Sequence, residues 1–432
     1  MNDICSTVEG PAGSAATETS RRIIALHHCP SHLLCIGGAD HELRIPFLLA
    51  LRDRGLRITA AGTGPSAPFA RHGLDYRSFR FDRFINPRAD AIAIRALRAL
   101  MTDVRPDLVQ SFDTKPNLLV PIAARTLPGV KTVRTINGLG QVYSSRSATA
   151  WALRWVFPTL HRLAARSTAL TIFQNRDDQT FFERHRMTGK GPSRLIPGSG
   201  IDIAAFDHAL AAGSSPHTLR EELGLGDAEV VITVTRMTRQ KGIPTLLDAA
   251  ALVHQARPSV RFLLVGPSEG EGPSAVTATE IARHAPYVQW IGPRSDIPAL
   301  LRLADAFAFP TEYREGVPRV LLEAALAELP IVTTRMPGCS DVVRDGWSGV
   351  LVPPRQPPLL AARILEMLRD RDAARAMGVR AGQWVRQEFG LTLTVDRYVQ
   401  AYTALMAPST PGLPGDGRGR AHRALSLQDA PP

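Results

Sequence analysis

VVITVTRMTRQKGIPTLLDAAALVHQ, residues 230–255, reads as a short apolar strand, a basic loop and a helix. Arg236 leaves the strand end, and Lys241 follows within the loop. Pro244 suits the first helical turn, where a missing N–H costs nothing. The same unit recurs along the chain. The first half carries apolar runs at RIIAL (22–26), LRITAA (56–61), DLVQS (107–111), VKTVRTI (130–136), ALTIF (169–173) and RLIP (194–197). The second half carries VVITVT (230–235), VRFLLV (260–265), VQWIG (288–292), DAFAFP (305–310), PIVTT (330–334) and GVLVP (349–353). Gaps that usually hold one helix predict parallel, doubly wound α/β sheets. Twelve strands exceed one compact sheet, and AAGSSP (211–216) punctuates the chain between the two sets. Two facing Rossmann-like domains of six strands each are expected, over 21–205 and 206–388. Residues 1–20 and 407–432 read as disordered tails from their Pro, Gly and Ser content.

Composition narrows the class. Hydrophobic content of 44% and charged content of 21% belong to an ordinary soluble globular chain. No run of about 18 apolar residues is present, which argues against a membrane-spanning helix. The N-terminus lacks the basic start and apolar stretch of a secretion signal. Cys5, Cys29, Cys35 and Cys339 are too few and too scattered for a disulfide framework, so a reducing cytoplasm is expected. The net charge of +11 attracts polyanions: nucleic acid, anionic lipid or a phosphorylated substrate. Between Ser144 and Thr168 stand Arg146, Arg154, Arg162 and Arg166 with no acid, interleaved with Trp151, Trp155 and Phe157. Such a segment suits the headgroup zone of a membrane, or equally a partner surface, and core packing of the tryptophans is the plain alternative.

In doubly wound sheets ligands bind beyond the carboxyl ends of the strands. Arg236 and Lys241 stand in such a loop and can converge on an anion above a helix N-terminus, although solvated loop cations are the commoner fate. TEYREGVPRVLLEAALAELP (311–330) is a second such loop. Pro318 fits the first turn of its helix, which Pro330 should end by Leu329. Glu315 should project between the domains, and Glu323 sits among apolar neighbours, where an unpartnered carboxylate is costly. A sugar or ribose supplies paired hydroxyl donors that would meet such carboxylates. Gly37 and Gly38 let backbone N–H groups approach a phosphate, or form a simple turn. His27, His28, Cys29, His32, Cys35 and His41 have no usual zinc spacing, and no metal is assigned to them. Gly62-Thr-Gly64 is no dinucleotide fingerprint, because Pro65 and Pro68 break the helix it needs.

EYREGVPRVLLEA (312–324) resembles the E-x7-E signature of the retaining nucleotide-sugar glycosyltransferases of family 4, which have the GT-B fold. TRMTRQKGIPTLLDA (235–249) resembles that family's donor-phosphate loop. IGPRSDIPALLRLADAFAFPT (291–311) and PGCSDVVRDGWSGVLVPP (337–354) resemble its base-pocket and closing segments. TINGLG (135–140), FQNRDD (173–178) and IPGSGID (196–202) look like the branch that extends lipid-linked or surface glycans. The resemblance implies that Arg236 and Lys241 hold the donor diphosphate, Glu315 the hydroxyls of the transferred sugar and Glu323 those of the ribose. Gly292, Pro293 and Arg294 would border the base. Gly37 and Gly38 would meet the diphosphate from the first domain, and Gly316 and Val317 would belong to the donor site. Asn137 stands where many relatives carry histidine. Lys115, Asn137 and Arg146 fall on the acceptor side. A helix over 389–406 would pack back on the first domain.

The activity so implied is a hexosyl transfer from a UDP-sugar, an N-acetylhexosamine or hexose, to a polyprenyl-diphosphate-linked saccharide at the inner membrane surface. It needs no metal or other cofactor, and no nucleic acid. Two other classes compete: a nucleotide-sugar epimerase of similar fold, and a non-catalytic protein binding polyanions or anionic membrane through its charge.

Overall fold

A computed structural model describes residues 31–407, apart from 39, 80, 83–85, 145–147 and 270–271. The expected tail 1–20, residues 408–432 of the other, the run RIIAL and Arg146 lie outside the described residues.

Two all-parallel sheets carry the fold. The first contains β1 (His32–Ile36), β2 (Arg57–Gly62), β3 (Asp75–Ser78), β4 (Leu108–Phe112), β5 (Lys131–Ile136), β6 (Leu170–Phe173) and β7 (Ser193–Leu195), in the order β3-β2-β1-β4-β5-β6-β7. The second contains β8 (Glu229–Val234), β9 (Val260–Val265), β10 (Val288–Trp290), β11 (Ala306–Phe309), β12 (Ile331–Thr334) and β13 (Val350–Val352), in the order β10-β9-β8-β11-β12-β13. All six runs of the second half became strands. In the first half, five of the six expected runs are strands, RIIAL lies outside the described residues, and two strands that were not expected appear among the described residues. Among the described residues the first strand is HLLCI, which pairs in register with β2 and β4. The other unexpected strand, Asp75–Ser78, is a polar sheet edge with no buried residue, so no apolar run announces it.

The reason for the apolar runs is visible in β8. Val230, Ile232 and Val234 enter one core cluster, while Val231 enters the cluster on the opposite face. Phe307 and Phe309 of β11 divide from Ala306 and Ala308 in the same way. A strand covered by helices on both faces has no polar side to show. Each such buried Val, Ile or Phe contributes about 1.5–3 kcal/mol relative to exposure.

The helix Leu391–Met406 joins the core of the first sheet, not the second. Val395, Tyr398 and Tyr402 are buried there beside Phe47 and Phe112. Tyr398 shares a hydrogen bond with the Thr135 hydroxyl at 3.2 Å, and Tyr402 donates to Gln110 at 2.9 Å. The chain therefore crosses between lobes twice.

In each sheet the strand order reverses at one place: between β1 and β4, and between β8 and β11. At such a switch point two neighbouring strands send their following loops apart and open a crevice. Loops after β1 and β8 carry Gly37, Gly38, Arg236 and Lys241, and the loop after β11 carries Glu315.

Candidate active site

At the switch point of the second sheet, the loop after β8 is built to hold Lys241. Thr238 caps the short 3₁₀ turn Arg239–Lys241, its hydroxyl accepting the Lys241 N–H at 3.3 Å. Gly242 then starts the helix Ile243–Ala256 with φ +74°, and a Cβ there would lie 1.9 Å from the Pro310 carbonyl oxygen. Only glycine lets the loop come so close to the end of β11. The Lys241 ammonium is ion-paired with the Glu315 carboxylate and lies 5.6 Å and 5.3 Å from the ring centres of Phe309 and Tyr313. Their side chains are 11% and 16% exposed, so each charge depends on a partner. Arg236 is half-buried two residues beyond β8.

At the switch point of the first sheet, Asp113 organises the loops. It holds the left-handed conformation, φ +69°, directly after β4. Its carboxylate accepts the Gly38 N–H at 2.9 Å, Arg44 at 3.1 Å and the Asn137 amide at 3.3 Å. Gly37 sits on the buried His41 ring, where a Cβ would come 2.2 Å from Nδ1. Burial, with Arg44 beside it, pushes that imidazole down to about 3, so it is a neutral packing surface. Of the other histidines and cysteines near it, Cys35 is in the core, His32 bonds Thr59 at 2.9 Å, and His27, His28 and Cys29 lie outside the described residues. Among the described residues no cluster of three or more metal-ligating side chains occurs.

The two switch points meet through backbone contacts. A Cβ on Gly138, at φ +106°, would lie 2.4 Å from the Arg314 carbonyl oxygen. One on Gly316 would lie 2.0 Å from the Gln174 amide oxygen and 3.1 Å from the Asn137 carbonyl carbon. Asn175 donates to the Glu315 carbonyl at 2.9 Å, and the Arg314 N–H donates to the Ser144 hydroxyl at 2.9 Å. Asp178, fully buried, faces the Arg314 guanidinium at 3.2 Å. Gly38, Asp113, Asn137, Gly316, Glu315 and Lys241 thus form one continuous lining.

Burial pushes the Asp178 carboxyl up to about 6, against the opposing pull of Asn175 and Arg314. Its unfolded-state value is near 3.8, so the folded chain binds this proton more tightly between the two values. Stability contributed by the site is therefore full at low pH and falls as pH rises from about 4 to about 6, by on the order of 2–3 kcal/mol. Thermal midpoints of wild type and Asp178→Asn should diverge across that window, the wild type losing ground. Parallel pH curves would contradict it.

Other expected residues are engaged elsewhere. Glu323 is met by Arg319 of its own helix at 2.9 Å, so its partner in the structure is a cation one turn away. That helix starts at Arg319 with Pro318 as N-cap, one residue later than expected, and ends at Leu326. The Arg294 guanidinium is held by Asp296 at 2.6 Å and Glu222 at 2.8 Å. Gly292, at φ +73°, accepts the Gly266 N–H at 2.8 Å, with Pro293 following in the same loop. Val317 packs partly buried against the second core. Lys115 is paired with Asp90 at 2.6 Å, which occupies the cation proposed for an acceptor phosphate. Trp151 and Trp155 are 62% and 72% exposed rather than packed, whereas Phe157 turns inward. Asp113, Ser144, Asn175, Asp178 and Arg314 were not singled out by sequence, although FQNRDD and EYREG contain three of them.

Comparison with known proteins gives the following matches. The family described as Glycosyltransferase Family 4 matches residues 47–204, and Glycosyl transferases group 1 matches residues 228–370. An N,N'-diacetylbacillosaminyl-diphospho-undecaprenol alpha-1,3-N-acetylgalactosaminyltransferase of Campylobacter jejuni is 24% identical over 371 residues, covering 85% of this chain and 96% of that protein. A UDP-Gal:alpha-D-GlcNAc-diphosphoundecaprenol alpha-1,3-galactosyltransferase of Escherichia coli is 26% identical over 268 residues, covering 61% of this chain and 66% of that protein. The crystal structure of Anabaena HepE with UDP superposes with a TM-score of 0.67 at 20% identity, over 86% of this chain and all of that one, which shows a shared fold.

Proposed function

Because the chain belongs to the GT-B glycosyltransferases, joining a family 4 half to a group 1 half, we propose that it transfers a sugar from a UDP-linked donor to a polyprenyl-diphosphate-linked saccharide, with retention of configuration. The observation that carries this reading is the pairing of Lys241 with Glu315 at the switch point of the second sheet. A donor brings a complement for each partner: phosphate oxygens for the ammonium and sugar hydroxyls for the carboxylate. Breaking the anomeric C–O bond leaves negative charge on the departing diphosphate. Lys241 and Arg236 stabilise that charge without a metal. Glu315 orients the sugar, and Glu323, released from Arg319, takes the ribose hydroxyls. Gly37 and Gly38 offer backbone N–H groups from the first lobe, and Asn137 lies on the acceptor side. The diphospho-undecaprenol acceptors named for the Campylobacter and Escherichia relatives support a diphospholipid saccharide, and the UDP-Gal named for the Escherichia relative and the UDP of HepE support a UDP-sugar.

Calorimetric titration with UDP, GDP, ADP and NAD tests the donor half of this reading. Selective micromolar affinity for UDP, weakened in Glu323→Ala, is expected. Affinity that tracks phosphate charge alone and vanishes with salt would replace the transferase by a polyanion binder.

For the acceptor half of this reading, the first lobe would work against a membrane surface. No described helix is long and apolar enough to cross a membrane. The helix Ala148–Ala165 instead exposes Trp151, Trp155 and Val156, with the two indoles edge to face at 6.0 Å. Such a face fits the headgroup boundary of an anionic bilayer. Trp151→Ser combined with Trp155→Ser should weaken binding to phosphatidylglycerol vesicles by about tenfold or more. Unchanged partitioning in a flotation assay would contradict this placement.

A further inference from the structure

Glu315 sits in an irregular loop between β11 and the helix Arg319–Leu326. A side chain that must meet a substrate within about 0.5 Å needs its loop held by something. Lys241 and Gln240 hold it from its own lobe, and a second set of holding groups comes from the other lobe. Ser144 accepts the Arg314 N–H at 2.9 Å. Asn175 donates to the carbonyl of Glu315 itself at 2.9 Å. Asp178 grips the Arg314 side chain at 3.2 Å, and Asn175 fixes Asp178 in turn with a 2.8 Å bond to its carboxylate.

Asp178 makes the arrangement more than a surface contact. Its side chain is fully buried at the start of the helix Arg176–Arg184, where it has no route to water. A buried carboxylate costs stability unless it is met by a cation, and replacing such a pair with apolar groups often stabilises. What the pair supplies here is a fixed location for the residue next to Glu315.

We propose that Arg314 is a positioning residue: through Asp178 and Ser144 of the first lobe it sets Glu315 in place, so that the sugar of the donor is gripped only when the lobes are in register. This rests on the reading of Glu315 as the sugar-hydroxyl ligand. The nucleotide end of the donor is held by Arg236, Lys241 and Glu323 of the second lobe and by the backbone of Gly37 and Gly38, none of which Arg314 touches. Loss of the tether therefore separates sugar recognition from nucleotide recognition, which a merely structural role would not do.

The test is calorimetric titration of wild type, Arg314→Met, Arg314→Lys and Ser144→Ala. The probes are UDP, and UDP-glucose and UDP-galactose with their 2-acetamido counterparts. Thermal midpoints establish that each variant is folded. Arg314→Met should keep UDP affinity within about twofold of wild type and lose about tenfold or more for the sugar nucleotide that wild type prefers. Arg314→Lys should recover part of the loss, because it restores the charge but not the fork. Ser144→Ala should lose sugar affinity in the same sense without any change of charge. Parallel loss of UDP and UDP-sugar affinity in Arg314→Met, or no loss of either, overturns the positioning role. Wild type that binds none of the five probes overturns the donor reading beneath it.

Discussion

Lys241→Ala is expected to lower turnover by ~10²–10³-fold or more while leaving the chain folded, because a donor to a developing oxyanion is worth that much in a water-poor site. The ammonium has few substitutes. It is paired with Glu315, lies near the rings of Phe309 and Tyr313 and is only 11% exposed, so no neighbouring cation of this loop stands in the same place. Removal would also release Glu315, and sugar placement should deteriorate along with leaving-group stabilisation. Lys241→Arg should recover little, since a planar fork cannot occupy the space of a compact ammonium. Wild-type turnover in Lys241→Ala, measured on protein with an unchanged circular dichroism spectrum, would remove Lys241 from the machinery.

Gly242→Ala should produce the second large loss, by a steric route. The residue holds φ +74°, and an alanine Cβ would press to 1.9 Å from the Pro310 carbonyl oxygen. Left-handed backbone alone costs an L-residue about 1–2 kcal/mol. The clash must then be relieved by moving backbone at the end of β11 or the start of the helix Ile243–Ala256. Together these should destabilise the chain by about 3 kcal/mol or more. Either movement displaces Lys241 or the loop leading to Glu315, and a shift of about 1 Å can cost ~10² in rate. A variant with both wild-type melting and wild-type turnover would show that the two loops are not packed as described.

What could be read from the sequence depended on which forces left a local trace. The six strands of the second sheet were legible because helices cover both faces and leave continuous apolar runs such as VVITV and VRFLLV. Asp75–Ser78 left no such trace, since an exposed edge strand needs pairing but no apolar side chains. HLLCI has the apolar run of a strand, but RIIAL just before it offers an equally good one, and apolarity alone cannot rank the two. The placing of Lys241 and Glu315 in loops beyond strand ends was legible, because those loops follow continuous apolar runs; their ion pair, across 74 positions, was not. The resting partner of Glu323 was also within reach of the sequence, since Arg319 four residues earlier is the spacing of a helical ion pair. Asp178 and Arg314 could not be paired from sequence, being 136 positions apart and brought together only by the packing of two lobes.

Transfer itself tests the account most directly. The assay follows radiolabel from UDP-N-acetylhexosamines and UDP-hexoses to a polyprenyl-diphosphate-linked N-acetylhexosamine, with EDTA present. The account predicts a labelled, longer lipid-linked saccharide, formed at an undiminished rate under EDTA and lost in Lys241→Ala. Absence of transfer from every UDP-sugar, or transfer that requires an added divalent cation and survives Lys241→Ala, would contradict it.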